Sequence, residues 1–127
     1  MKRTTNESAS YLSKRIRAFG CAFVGLYVLL RDEPHAKIHL LATVIVIALG
    51  IVLQVSKTDW LWLTMAISSV WTAEAFNAAI ERLADRITKE HDPQIGTVKD
   101  IAAGAVLVTC LGAAGIGAMI FLPSLVS

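Results

Sequence analysis

Glu74, Asn77, Glu81 and Asp85 are the residues of this chain whose types and spacing can do chemistry. At about 100° per residue, the last three fall roughly 60°, 20° and 20° from Glu74 around a helix axis, so all four share a face. Glu74 lies in apolar sequence with no cation one turn away. An ionisable group at membrane depth costs at least about 2.5 kcal/mol, so it belongs on a protein interior or a wet cavity and marks a functional site. Glu33, Glu90, Asp92 and Asp100 add carboxylates near the same side of a membrane. Oxygen ligands suit Mg²⁺, and Mg²⁺ suits phosphates, so a hard cation and a phosphate donor fit the cluster.

Structural alternatives stand beside these readings. Glu33 can pair with Lys37 at i,i+4 and favour a helix start. Glu81 and Asp85 can form a solvated face bridged to nearby arginines, and Asn77 can tie helices together by hydrogen bonding. His35, His39 and His91 read as polar anchors near the membrane surface and in a loop rather than as metal ligands. A glycine-rich phosphate loop, a protein-kinase signature and a nucleophile elbow are all missing from the sequence.

The elements that must position these residues follow from composition. The chain has 127 residues, 55% hydrophobic and 17% charged, with a mean hydropathy of +0.60. That is too apolar for an ordinary soluble domain and predicts an all-α membrane protein, a single domain over 1–127. Of twelve basic residues, seven precede the first apolar span, Lys57 follows it, four lie between the second and third spans, and none follows the third. This positive-inside pattern predicts a cytoplasmic N-terminus, a cytoplasmic 82–100 segment and a tail on the outer side. The basic residues set topology and meet lipid headgroups; no aromatic-interleaved platform accompanies them, so nucleic acid is not expected as a partner. Cys21 and Cys110 have no metal or redox spacing and read as small packing residues. No cleavable signal peptide is expected.

Residues 1–7 read as disordered. Leu12, Ile16, Phe19, Phe23, Leu26 and Leu30 recur at steps of 4, 3, 4, 3 and 4, which predicts an amphipathic helix over 8–31 lying on the inner membrane surface or packed on the other helices. Pro34 can open the next helix at its first position. Transmembrane helices are expected at about 36–56, 59–89 and 99–123. Asp59, or Thr58, is expected to cap the second, and the three tryptophans are expected mainly as interface anchors. His91 to Thr97 reads as a polar loop with breakers. Glu74 then lies about 22 Å along its helix from Asp59, at the inner interface, with Glu81 roughly 10 Å further into water. Small residues along the third span, among them Gly104, Gly112 and Gly115, predict close helix packing. Three helices alone cannot enclose a water-free site, so oligomerisation is expected.

The pattern Glu74-x-x-Asn77-x-Ala-Ile80-Glu81-x-x-x-Asp85, followed by Val98-Lys99-Asp100-Ile-Ala-Ala-Gly104, resembles the small prokaryotic membrane kinases of diacylglycerol and undecaprenol. The likeness runs from about Lys14 to Pro123. It implies a homotrimer with active sites shared between neighbours, and transfer of the ATP γ-phosphate to a lipid alcohol. By matching position, Glu74 would be the general base, and Glu33 and Glu81 would hold Mg²⁺. Lys14, Asn77, Glu81, Glu90, Lys99 and Asp100 would place the nucleotide or the reacting groups, with Asp85 in support. Glu33 to Leu40 resembles the undecaprenol branch more than the diacylglycerol branch. The chain departs from the family's pattern at Cys21 and Val24, where an aromatic and a lysine are frequent, so Lys14 is the one nucleotide contact carried over from that helix. A rival of another class is a non-enzymatic ion channel or transporter subunit with Glu74 and Asn77 lining an ion path. It needs a polar path through the outer half, where residues 60–73 offer only Thr64, Ser68, Ser69 and Thr72.

Overall fold

A computed structural model describes the backbone of residues 3–126 and the side chains of residues 13–124. Among the described residues the chain is all helical: α1 Arg3–Asp32, α2 Pro34–Val52, α3 Lys57–Ile87 and α4 Pro93–Val126. It divides into two compact units, Met1–Glu33 and Pro34–Ser127.

In the first unit α1 begins at Arg3, so residues 3–7 are helical rather than disordered. No glycine or proline interrupts that stretch, and helix propagates once nucleated. The side chain of Leu12 lies outside the described residues. Ile16, Phe19, Phe23 and Leu26 are exposed on this helix. Cys21 is also exposed and is therefore not a packing residue here. At the helix end Arg31 Nε donates to Asp32 Oδ1 at 2.6 Å, and the guanidinium lies 5.8 Å from the centre of the Tyr27 ring. The bond to Asp32 holds the guanidinium pKa above its ordinary value, so Arg31 stays charged at any working pH.

In the second unit the helix ends differ from the sequence reading, each for a local reason. Helix α2 starts at Pro34 but stops at Val52. Gln54 takes a left-handed φ of 51°, and the bonds Val55 N–H to Gly50 O and Gln54 N–H to Ile51 O, both 3.2 Å, satisfy the last carbonyls. This is a Schellman stop with a non-glycine residue at the left-handed position. Helix α3 is capped by Ser56, not by Asp59 or Thr58. The Ser56 hydroxyl accepts the Asp59 N–H at 3.2 Å, and the Asp59 carboxylate accepts the Ser56 N–H at 3.1 Å, closing a capping box. The helix ends at Ile87, where Thr88 turns extended. Helix α4 opens at Pro93 instead of residue 99. The Asp92 carboxylate accepts the N–H groups of Gln94 at 2.8 Å and Ile95 at 3.3 Å, so most of the expected loop is the helix's first turn. Pro123 does not end α4, which continues to Val126.

Among the described residues two helices are long and apolar enough to cross a membrane, Pro34–Val52 and Pro93–Ser124. Helix α3 falls short because Trp, Ser, Thr and carboxylate residues dilute its apolar run. The outward faces remain apolar: Leu41, Ile45, Ile51, Leu107, Leu111 and Met119 are all exposed, a pattern suited to hydrocarbon.

Helix α3 packs chiefly on α4 and less on α2. Its buried face runs Leu63, Ala66, Val70, Glu74, Asn77, Ala78 and Ala84. Two contacts set α2 against it. Trp71 Nε1 donates to Thr43 Oγ1 at 3.0 Å, so this tryptophan joins two helices and is not an interface anchor. Gly50 is buried under Trp60, where an added Cβ would come within 2.8 Å of Cη2 and 2.9 Å of Cζ2 of the ring. Only glycine permits that approach.

Candidate functional site

On the inward face of α3 the sequence changes character at one position. Leu63, Ala66 and Val70 precede it, and Glu74, Asn77 and Glu81 follow it at spacings of three and four residues. Helical periodicity therefore carries one stripe from an apolar interior into a polar one. Glu74 is 3% exposed and Asn77 7% exposed; Glu81 is partly buried and Asp85 exposed.

Each of these side chains has a definable environment. Asn77 Nδ2 donates to Glu81 Oε1 at 3.1 Å. Turning the amide over would set two acceptors against each other, so this bond fixes its orientation. Asn77 Oδ1 is then buried with no hydrogen-bond partner. A buried acceptor without a donor is costly, and an orphaned amide oxygen beside a carboxylate is an oxygen-donor set of the kind Mg²⁺ takes. Glu81 and Asn77 could thus hold such an ion. Among the described residues no group of three His, Cys, Asp or Glu side chains gathers to hold a metal ion.

Glu74 meets a residue that the sequence did not pair with it. His39 Nε2, from α2, lies 3.7 Å from Glu74 Oε2, with the two side chains 16% and 3% exposed. His39 also lines a cavity of about 320 Å³ between α2, α3 and α4, whose walls include Val46, Leu63, Val70 and Phe121. Thr43 and Cys110 line the same cavity.

A second group gathers where α3 gives way to α4. Lys99 Nζ lies 3.1 Å from Asp85 Oδ1, and both face a basin of about 560 Å³ that Glu90, His91 and Asp92 also line. The backbone N–H of Glu90 is held by Thr88 Oγ1 at 3.0 Å. Of the residues expected to meet a nucleotide, Glu90 and Lys99 are thus together and Asp85 joins them, whereas Asp100 is exposed on α4 and is not part of this basin's lining. Lys14 and Glu33 belong to the first unit, the former exposed and the latter partly buried. His39 and Trp71 are the residues that sequence reasoning missed. Their signal was present in the i,i+4 spacing of His39 and Thr43 and the i,i+3 spacing of Trp71 and Glu74, which match only if the two helices run antiparallel in one register.

Among the described residues of α3 above Glu74, the hydroxyls that an ion conductor would need are exposed and off the buried face. The hydroxyls of Thr64, Ser69 and Thr72 donate to carbonyls four residues back, at 2.7, 2.8 and 2.8 Å, and all three bonds are exposed.

Fold and site together define a small all-helical protein whose apolar helices suit a membrane and whose acids collect along one helix face. The chain belongs to the prokaryotic diacylglycerol kinase family, which residues 20–121 match. It is 33% identical over 114 residues to the undecaprenol kinase of Bacillus subtilis (strain 168), covering 90% of this chain and 93% of that protein. It is 28% identical over 96 residues to the diacylglycerol kinase of Escherichia coli (strain K12), covering 76% of this chain and 79% of that protein. The diacylglycerol kinase of Shigella flexneri gives the same identity and coverage.

Proposed function

We propose that this chain is a lipid kinase that transfers the γ-phosphate of ATP to the hydroxyl of a membrane lipid alcohol, with undecaprenol as the acceptor. The observation that carries the reading is the burial of Glu74, 3% exposed, where the inward face of α3 turns from apolar to polar. A lipid alcohol has the same division: a long apolar body and one oxygen at the interface. The cavity lined by His39, Val46, Leu63, Val70 and Phe121 gives the apolar body a place beside that acid.

In this reading Glu74 accepts the proton of the lipid hydroxyl as its oxygen attacks the γ-phosphorus, the bond to the β-phosphate oxygen breaks, and ADP leaves with that electron pair. Asn77 and Glu81 would supply oxygen donors for Mg²⁺, and the family resemblance would add Glu33 as a further carboxylate. When bound, the ion offsets charge on the β and γ phosphates. Lys99, held against Asp85, and Glu90 form the wall that meets the nucleotide, with Lys14 and Asp100 assigned to it by resemblance. Helix α3 is read as the second of three membrane spans, between α2 and α4, with the N-terminus and the acids on the cytoplasmic side of the bacterial inner membrane. A homotrimer is consistent with α4, where a Cβ built at Gly104, Gly112 or Gly115 would meet nothing within 4 Å, leaving room for a neighbouring backbone.

The test is turnover of the purified full-length chain with labelled ATP and, side by side, undecaprenol and a diacylglycerol. Faster phosphorylation of undecaprenol supports the acceptor assignment, and faster phosphorylation of diacylglycerol overturns it. Glu74→Gln keeps shape and removes the base, so lipid phosphorylation is expected to fall about 10²- to 10⁴-fold. Near-normal turnover by a correctly folded Glu74→Gln would remove Glu74 from the mechanism.

A further inference from the structure

Helices α2 and α3 meet in an antiparallel ladder of two adjacent rungs. Thr43 pairs with Trp71, whose indole N–H donates to Thr43 Oγ1 at 3.0 Å. One turn toward the start of α2 and one turn onward along α3, His39 Nε2 faces Glu74 Oε2 at 3.7 Å. Thr43 Oγ1 also donates to the carbonyl of His39 at 2.7 Å, so the upper rung grips the backbone of the lower. The register is therefore set by a hydrogen bond next door, and His39 is brought to the acid by construction.

A buried carboxylate with apolar neighbours can rotate about its last bond, because that torsion is broad and two-fold. It acts as a base only with one oxygen aimed at the hydroxyl it deprotonates. The ring of His39 lies on the Oε2 side, which leaves Oε1 for the substrate. Other titratable groups near the pair are few: from α4 Cys110 lines the same cavity, and Asn77, one turn along α3, is committed to Glu81 through its amide nitrogen. The separation is longer than a formed hydrogen bond of about 2.7–3.2 Å, and such contacts tighten when substrate arrives.

We infer that His39 is the positioning residue for Glu74, donating from Nε2 to Oε2 so that the other carboxylate oxygen points at the lipid hydroxyl. The role rests on the lipid-kinase reading and adds to it a residue of α2 acting through Glu74 rather than on substrate.

The experiment compares His39→Leu, His39→Gln, Glu74→Gln and the double variant His39→Leu with Glu74→Gln. Each is the purified full-length chain, assayed for kcat and for the KM of ATP with undecaprenol in mixed micelles. Helical circular dichroism confirms folding. His39→Leu is expected to lower kcat about tenfold, the scale of one hydrogen bond to a charged group, with the KM for ATP within about twofold. His39→Gln, which keeps a donor at the same reach, is expected to recover most of the rate. In the Glu74→Gln background His39→Leu should cost nothing more, since residues acting as a unit are not additive. The role is overturned if His39→Leu matches wild type, if His39→Gln is as slow as His39→Leu, or if the two losses multiply. Near-normal turnover by Glu74→Gln would overturn the base assignment and this role with it. Wild-type rates for His39→Leu beside an inactive Glu74→Gln would overturn the role alone.

Discussion

Gly50→Ala is a substitution whose sign should depend on a residue of another helix. Alanine normally improves a helix over glycine by about 1 kcal/mol. Here the new Cβ would sit 2.8 and 2.9 Å from two carbons of the Trp60 ring, where carbon atoms prefer about 3.5–4.0 Å. Overpacking of this kind costs about 1–3 kcal/mol, so the net effect with Trp60 present is a loss of about 1 kcal/mol. In a Trp60→Ala background the obstruction is gone and Gly50→Ala should stabilise by up to about 1 kcal/mol. For a chain of this length each such change moves the thermal midpoint by roughly 2–6 °C, readable from helical circular dichroism in detergent micelles. Gly50 lies about 16 Å along α2 from His39, so kcat for lipid phosphorylation should stay within about twofold. The reasoning fails if Gly50→Ala raises the midpoint while Trp60 is present, or lowers it equally in both backgrounds.

Two further outcomes follow from local geometry. Gln54 holds a φ of 51° at the end of α2, where a side chain costs roughly 1–2 kcal/mol relative to glycine; Gln54→Gly should raise the thermal midpoint by a few degrees, and an unchanged or lower midpoint would refute the strain. Lys99→Met removes a pair with Asp85 whose side chains are 37% and 69% exposed, so stability should change by less than about 1 kcal/mol, whereas under the proposed nucleotide role of Lys99 the KM for ATP should rise about tenfold. A large drop in the midpoint with an unaltered KM would assign Lys99 to structure instead.

The sequence carried the face of α3 well, because Glu74, Asn77 and Glu81 fall on one stripe by helical geometry alone and nothing between them breaks a helix. It carried the start of α2 for the same kind of reason, since Pro34 has an unambiguous place there. Helix ends depending on side-chain competition were less legible. Ser56 and Asp59 can each cap a helix, and only the reciprocal bonding decides that Ser56 is outermost. Asp92 looked like part of a loop because a proline follows it, yet that proline occupies a first helical position and the carboxylate closes the turn. The link between His39 and Glu74 was out of reach, because two residues far apart in the chain meet only once the register of two helices is known. Trp71 was misread for a related reason: a tryptophan in an apolar run resembles an anchor until a hydroxyl on another helix is found within reach of its nitrogen.

Helix α3 runs from Lys57 to Ile87 without a break, which makes it a ruler. The acid beside the cavity and the amide and carboxylate beyond it are graduations on one stiff rod, so their spacing is fixed at synthesis and no hinge between them can adjust it. In the proposed reaction, any closure around the reactants therefore comes from other segments or from the reactants themselves. Deleting a single residue between Glu74 and Glu81 would swing one end about 100° around the rod and leave the two carboxylates facing different directions.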